Sequence, residues 1–307
     1  MAKQLGYACI NMQLRKKGIN AKRSMIRRTF DAKGLDYVSE LCLANARDLV
    51  EIIKWNNEND IKVYRMPSDI FPWMSEYEFT DLPDYEELSM VLKDAGKLAM
   101  DNGQRLSFHP GQFCVLASPN QKVVDSAINE LNKSSQIMDM MGLPRSRMAK
   151  INIHVGGAYG DKESALGRFC KNYIETSKGV RSRLTVENDD KANMYSVVDL
   201  FEGVYKVVGI PIVFDYYHHK FCTGGLTEEQ ALKLAASTWP EGVKQCTHYS
   251  ESRAKEKMDE SIRPQAHSDY ITSDINDYGL DIDVVVEAKA KELAIKKYKK
   301  VLTEVSY

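Results

Sequence analysis

Residues 150–187 carry the reading that decides the fold: Lys150-Ile151-Asn152-Ile153-His154, then a helical run from Glu163 to Ser177, then Leu184-Thr185-Val186-Glu187. Two short β-type segments bracket a helical one, and each strand ends in a side chain able to bind a metal. That order predicts a strand–helix–strand crossover with parallel strands. The rhythm extends in both directions. Upstream lie strands at Leu5–Asn11, Val63–Arg65 and Arg105–His109, with helices over Leu35–Asn59, Tyr85–Asn102 and Val123–Met141. Downstream lie strands at Ile212–Asp215, Val243–His248 and Asp283–Glu287, with helices over Val197–Val208, Glu228–Ala236 and Ala288–Val301. Eight such units predict a closed (β/α)8 TIM barrel, an α/β fold, in one domain spanning residues 1–307. The chain of 307 residues exceeds the roughly 250 that such a barrel needs. Two stretches break the rhythm, residues 19–34 and 250–278, and long loops at the C-terminal face of a barrel usually carry function.

The strand ends share a chemistry. All six histidines stand at or just beyond a predicted strand end, as do three carboxylates: His109, His154, Glu187, Asp215 with His218 and His219, His248, His267 and Glu287. A parallel barrel gathers these groups at one mouth, where barrel enzymes place their active sites. Imidazole and carboxylate without thiolate at ligand spacing suit Zn2+ or Mn2+, and the carboxylate share also admits Mg2+. The donors outnumber what one ion needs, so two or three ions are expected, with Glu187 and Glu287 as bridging ligands. Clustered divalent ions lower the pKa of water and stabilise charge in an in-line displacement, which points to phosphodiester cleavage.

The formal net charge is −1, but Arg15, Lys16, Lys17, Lys22, Arg23, Arg27 and Arg28 concentrate positive charge in one segment, suited either to nucleic-acid contact or to a solvated face. The six cysteines show no CxxC spacing and no secretory leader precedes them, which predicts free thiols in a reducing, intracellular compartment. No apolar run approaches the roughly 18 residues of a membrane span, so no membrane partner is expected.

Beyond these residue-level readings, the chain resembles a UV damage endonuclease. The resemblance rests on Leu5-Gly6-Tyr7 with Asn11, residues 64–72 (YRMPSDIFP), His109-Pro110-Gly111-Gln112-Phe113, His154-Val155-Gly156-Gly157 and Glu187-Asn188-Asp189-Asp190. It continues through Phe214-Asp215-Tyr216-Tyr217-His218-His219, His248-Tyr249-Ser250, His267-Ser268-Asp269-Tyr270 and residues 287–292 (EAKAKE). It covers almost the whole chain in order. It implies a metal-dependent barrel similar to endonuclease IV that nicks double-stranded DNA 5′ to UV photoproducts (pyrimidine dimers) and other helix-distorting lesions. It also implies a cluster of three metals, commonly manganese, held by His109, His154, Glu187, Asp215, His218, His248, His267 and Glu287. Gln112 and Phe113 would probe the duplex opposite the lesion, and Tyr7, Asn11 and Asp69 would contact the displaced lesion. Arg65 would be a phosphate contact or an inward-facing barrel arginine.

Three positions depart from the family's pattern. Phe113 replaces a tyrosine of several relatives, Asp69 replaces a histidine of some, and Cys246 stands where a lysine precedes the strand-seven histidine. Either Lys244, on the same side of the predicted strand as His248 and one layer deeper, takes that lysine's catalytic role beside Glu187, or Cys246 fills its place and tunes metal choice. A monomer is expected, in the cytoplasm or nucleoid if the source is prokaryotic or viral. The alternative activities are an abasic-site endonuclease of the endonuclease IV class, a metal-dependent sugar isomerase with a lysine and histidine over a closed pocket, and a non-catalytic DNA-binding barrel lacking a complete ligand set.

Overall fold

Eight short parallel strands follow one another around a ring in the computed structural model, which describes residues 3–305. They are β1 (Gln4–Ala8), β2 (Val63–Arg65), β3 (Arg105–Ser107), β4 (Ile151–Ile153), β5 (Leu184–Glu187), β6 (Ile212–Val213), β7 (Gln245–Tyr249) and β8 (Ile282–Val286). Hydrogen bonding runs in two arcs, β3-β2-β1-β8-β7 and β4-β5-β6. Two single bridges join the arcs, Phe108 with Ile151 and Asp215 with His248, so both seams lie at or next to candidate ligands. This is the (β/α)8 barrel that the sequence predicts. No helix among the described residues is long and apolar enough to cross a membrane.

Period-2 alternation sorts the strand residues into two sets. The outward set, including Leu5, Tyr7, Tyr64, Leu106, Ile151, Ile153, Leu184, Val186, Ile212, Ile282 and Val286, is buried in the main core with the apolar faces of the helices. The inward set is layered. At the N-terminal floor Arg105 is 3.0 Å from Asp283, Lys244 is 3.1 Å from Asp283, and the Arg105 guanidinium lies over the Trp239 ring. Ala8, Val63, Val213, Cys246 and Val285 form a small apolar plug, and the ligand candidates stand at the C-terminal mouth. Gly6 lies where β1 and β2 approach too closely for a side chain: a Cβ there would fall 2.0 Å from the Val63 carbonyl oxygen.

Helix starts follow the local chemistry. Asn120, Asp161, Ser177, Ser196 and Thr227 each accept a hydrogen bond from a first-turn backbone N–H, which supplies an acceptor to a donor the helix itself leaves unpaired.

Several boundaries differ from the sequence reading. β1 ends at Ala8 rather than Asn11, because Cys9 takes a left-handed φ of 66° that ends the strand. The first long helix begins at Arg27, so part of the expected 19–34 loop is helical, and Gly34 (φ 62°) breaks it just before the expected start. A helix at Lys178–Arg183 was not expected, and the 250–278 loop contains a short helix at Arg253–Lys257.

The floor ion pair is buried, so removing its carboxylate strands a charge away from water. Asp283→Ala is expected to lower unfolding free energy by about 3–5 kcal/mol in denaturant titrations. Adding Arg105→Met should restore part of that loss. An unchanged midpoint in the single variant would contradict this account of the floor.

Candidate metal centre

Glu187 ends β5 with 1% of its side chain exposed, and the other candidates surround it. Its Oε2 is 3.2 Å from His109 Nε2 and 3.0 Å from His248 Nδ1. Its Oε1 is 3.4 Å from His218 Nδ1 and 3.9 Å from His154 Nε2. Glu287 extends the group, 3.4 Å from His248 and 3.6 Å from His267. Asp215 completes it, placed so that one donor atom each from Glu187, Asp215 and His248 lie within 4.8 Å of one another. All eight residues proposed as ligands are thus brought to one place. His154 and His267 remain about a quarter exposed and open the cluster to solvent.

Local structure aims these side chains. Asp215 caps the short helix Tyr216–His219: Tyr217 N and His218 N both donate to its Oδ1. That use of Oδ1 leaves Oδ2 buried with no hydrogen-bond partner, and the same turn carries His218 into the cluster. His109 Nδ1 donates to Pro110 O, His218 Nδ1 to Asn188 O and His267 Nδ1 to Glu287 O, which leaves Nε2 of each ring as the atom for a metal, that of His109 now against Glu187 Oε2. His154 Nδ1 is held 3.0 Å from Asp189 Oδ1. Outer-shell partners of this kind fix ring orientation in metal sites. Nε2 of buried His248 also lacks a hydrogen-bond partner among the described residues, while its Nδ1 faces Glu187.

The electrostatics call for cations. Two buried carboxylates, Glu187 and Asp215, and the partly buried Glu287 share the mouth, and among the described residues Glu287 alone of the three has an ion pair with an arginine or lysine, Arg65. Burial opposes charge on Glu187, but His248 and His154 prevail and hold it well below the usual carboxylate range. Burial pushes Asp215 up to about 7, against the pull of His218. Burial also opposes charge on His154 and His218, but their carboxylate neighbours outweigh it and raise them to about 10 and about 9. Without metal, therefore, two imidazoles hold protons where ions would bind. The unpartnered Asp215 and His248 atoms and a donor set of imidazole and carboxylate fit divalent metal ions.

Other expectations are corrected by position. Tyr7 is fully buried on the outward face of β1, where its hydroxyl donates to Asn56 and accepts from Asn11, so neither Tyr7 nor Asn11 can reach a substrate. Asn11 also caps the short helix Met12–Arg15. Arg65 is the inward barrel arginine of the two readings, paired with Glu287. Lys244 lies before β7 at the opposite end of the barrel, 2.6 Å from Asp281 and 3.1 Å from Asp283, which excludes the catalytic role assigned to it. His219 turns away from the cluster against Phe214.

Gln112 and Phe113 stand exposed on the loop after β3, Phe113 at 81%. Asp69 lines a mouth-side cavity of about 320 Å3 with Lys22, Trp73 and Gly111, next to that loop. Of the basic run, Arg23 and Arg27 are tied to Asp48, Asp31 and Glu76, whereas Arg15, Lys16, Lys17 and Arg28 are exposed.

Sequence reasoning missed Asn152, which donates to Glu187 and is itself held by Thr185, and Asp189, which braces His154. Alternation along Lys150-Asn152-His154 was the available signal for Asn152. Lys150 was missed too: it is fully buried, its Nζ has no hydrogen-bond partner, and burial lowers its pKa in a setting that includes Cys246 and Glu187.

Comparison with known proteins adds a second line. A family model described as UV-endonuclease UvdE matches residues 3–306. The UV-damage endonuclease of Schizosaccharomyces pombe is 35% identical over 302 residues, which are 95% of this chain and 49% of that protein, so the chain spans about half the length of this relative. The crystal structure of SacUVDE superposes with a TM-score of 0.85 at 29% identity over 99% of both chains. Endonuclease IV from Thermus thermophilus aligns over 98% of this chain and 99% of its own, with a TM-score of 0.58 at 10% identity, and shares the fold alone.

Because His154 and His218 hold protons that a metal must displace, Mn2+ uptake at about pH 7 should release protons, and apparent affinity should rise as pH increases towards about 9. Calorimetry in buffers of different ionisation enthalpy measures both. Affinity independent of pH with no proton release would contradict this electrostatic picture.

Proposed function

The chain belongs to the UV-endonuclease UvdE family, and from that premise we propose that it is a metal-dependent DNA repair endonuclease nicking the backbone 5′ to pyrimidine dimers and other helix-distorting lesions. The observation that carries the reading is the buried Glu187 surrounded by four imidazoles, an arrangement that fits two or more divalent ions. Three Mn2+ ions held by His109, His154, Glu187, Asp215, His218, His248, His267 and Glu287 are the proposed complement. Bound there, they would supply a water of lowered pKa and stabilise charge on the attacking and leaving oxygens.

The remaining work falls to the chain. Glu187 stays ionised, so it orients a water for attack on phosphorus rather than donating a proton. Asn152 and Thr185 hold the Glu187 carboxylate in place, and Asp189 holds His154. Attack breaks the phosphorus bond to the 3′ oxygen of the upstream nucleotide, leaving a 3′-hydroxyl there and a phosphate on the lesion side.

Lesion selection is assigned to Gln112 and Phe113. An exposed aromatic ring and a planar amide can fill the space left when damaged bases leave the stack, and damage lowers the cost of that displacement. Asp69, in the neighbouring cavity, is the proposed contact for the displaced bases. The exposed Arg15, Lys16, Lys17 and Arg28 would add sequence-independent attraction for the backbone.

The test uses matched duplexes that are undamaged, abasic or carry one pyrimidine dimer, with Mn2+, an EDTA control and ends mapped to the nucleotide. A metal-dependent nick 5′ to the dimer is expected. Cleavage of the abasic duplex alone would favour the endonuclease IV class of activity, and no cleavage by metal-loaded protein would defeat the reading. Gln112→Ala with Phe113→Ala should lower the preference for damaged over undamaged duplex by about tenfold or more, with metal content unchanged.

A further inference from the structure

Cys9 (φ 66°) after β1 and Lys291 (φ 55°) after β8 are among the described residues that hold left-handed backbone conformations without being glycine. Such conformations cost free energy and persist where surrounding structure enforces them. The enforcement is visible here. Glu292, fully buried, accepts hydrogen bonds from Met12 N and Gln13 N at 2.8 Å each, which ties the segment after β1 to the start of the last helix. Cys9 is fixed as well: its N–H donates to Arg65 O, and its carbonyl accepts from the Tyr64 hydroxyl.

Lys291 is held between these anchors beside the metal centre. Cys9, Arg65, Glu287 and Lys22 are among the charged and titratable groups close enough to act on it electrostatically. Arg65 and Glu287 neutralise each other, and Lys22 lies 3.7 Å from Asp69. Lys291 is only partly exposed, and its ammonium makes no hydrogen bond or ion pair with any described residue. A half-buried ammonium without an acceptor costs free energy unless an anion arrives. Among the described residues it is a partly buried cation at this edge that no carboxylate pairs.

We propose that Lys291 is a DNA-binding residue, holding a non-bridging oxygen of a phosphodiester that flanks the cleaved bond on the β1–β8 side of the mouth. The inference rests on the endonuclease reading and deepens it. The contact is to a phosphate that does not react, so Lys291 binds ground state and transition state alike, and its loss acts on KM rather than kcat.

The test measures binding of the Mn2+-loaded protein to the nicked product duplex across a salt series, with Lys291→Asn and Lys291→Arg as variants. Asparagine tolerates the left-handed backbone and removes the charge. Lys291→Asn is expected to reduce the magnitude of the slope of log K against log salt by about 0.9, the contribution of one phosphate contact. KM should rise with kcat and metal content unchanged, and Lys291→Arg should restore the slope. A methylphosphonate scan should show one backbone position that matters to the wild type and not to Lys291→Asn.

An unchanged slope in Lys291→Asn would overturn the assignment, and so would a parallel loss of metal. A wild type that cleaves lesion duplexes normally while its variant binds normally would sink this inference alone. A wild type that neither binds nor cleaves any duplex would sink the endonuclease reading with it.

Discussion

Everything at the mouth of this barrel follows from taking the Glu187 carboxylate almost wholly out of water. A buried anion must be paired or protonated. Here the groups that answer it are imidazoles from four other strand ends or loops, with Asn152 beneath. Two further carboxylates, buried Asp215 and partly buried Glu287, raise the demand for positive charge, and Arg65 meets only one of them. Protons on His154 and His218 are what the chain can supply from within. Divalent cations answer the same demand with more charge and with a use for it.

The barrel serves this centre by separating stability from chemistry along its axis. The floor holds a compensated ion pair, Arg105 with Asp283, and the middle an apolar plug around Val63, Val213, Cys246 and Val285. The top layer carries buried polar atoms without hydrogen-bond partners among the described residues, such as Asp215 Oδ2 and His248 Nε2. The seams of the ring fall at that layer too, since Asp215 and His248 themselves form one of the two closing bridges. Pairing the backbone at a ligand position holds two donors at fixed separation.

Much of this was readable before any coordinates. Eight strand–helix units and the identity of the residues ending each strand were enough for the barrel and for the gathering of His109, His154, Glu187, Asp215, His248 and Glu287, because a parallel barrel sends all strand ends one way. What was not readable depended on facts that period-2 alternation leaves open. Alternation does not say which face of β1 points inward, and Gly6 and Ala8 take that face, which turns Tyr7 outward to Asn56. It does not say where a strand starts: β7 begins at Gln245, which leaves Lys244 among the floor carboxylates, while Lys150 occupies the interior instead. Adjacent His218 and His219 looked alike, but a helical turn after Asp215 sends only the first into the cluster.

The central claim is that the Glu187 cluster is a metal site, and anomalous scattering from crystals grown with Mn2+ tests it most directly. The account predicts at least two anomalous peaks, one between His109, His154 and Glu187 and one among Glu187, Asp215 and His248, both absent from Glu187→Gln crystals of the same fold. A well-ordered wild-type cluster with no anomalous density at saturating Mn2+ would contradict it.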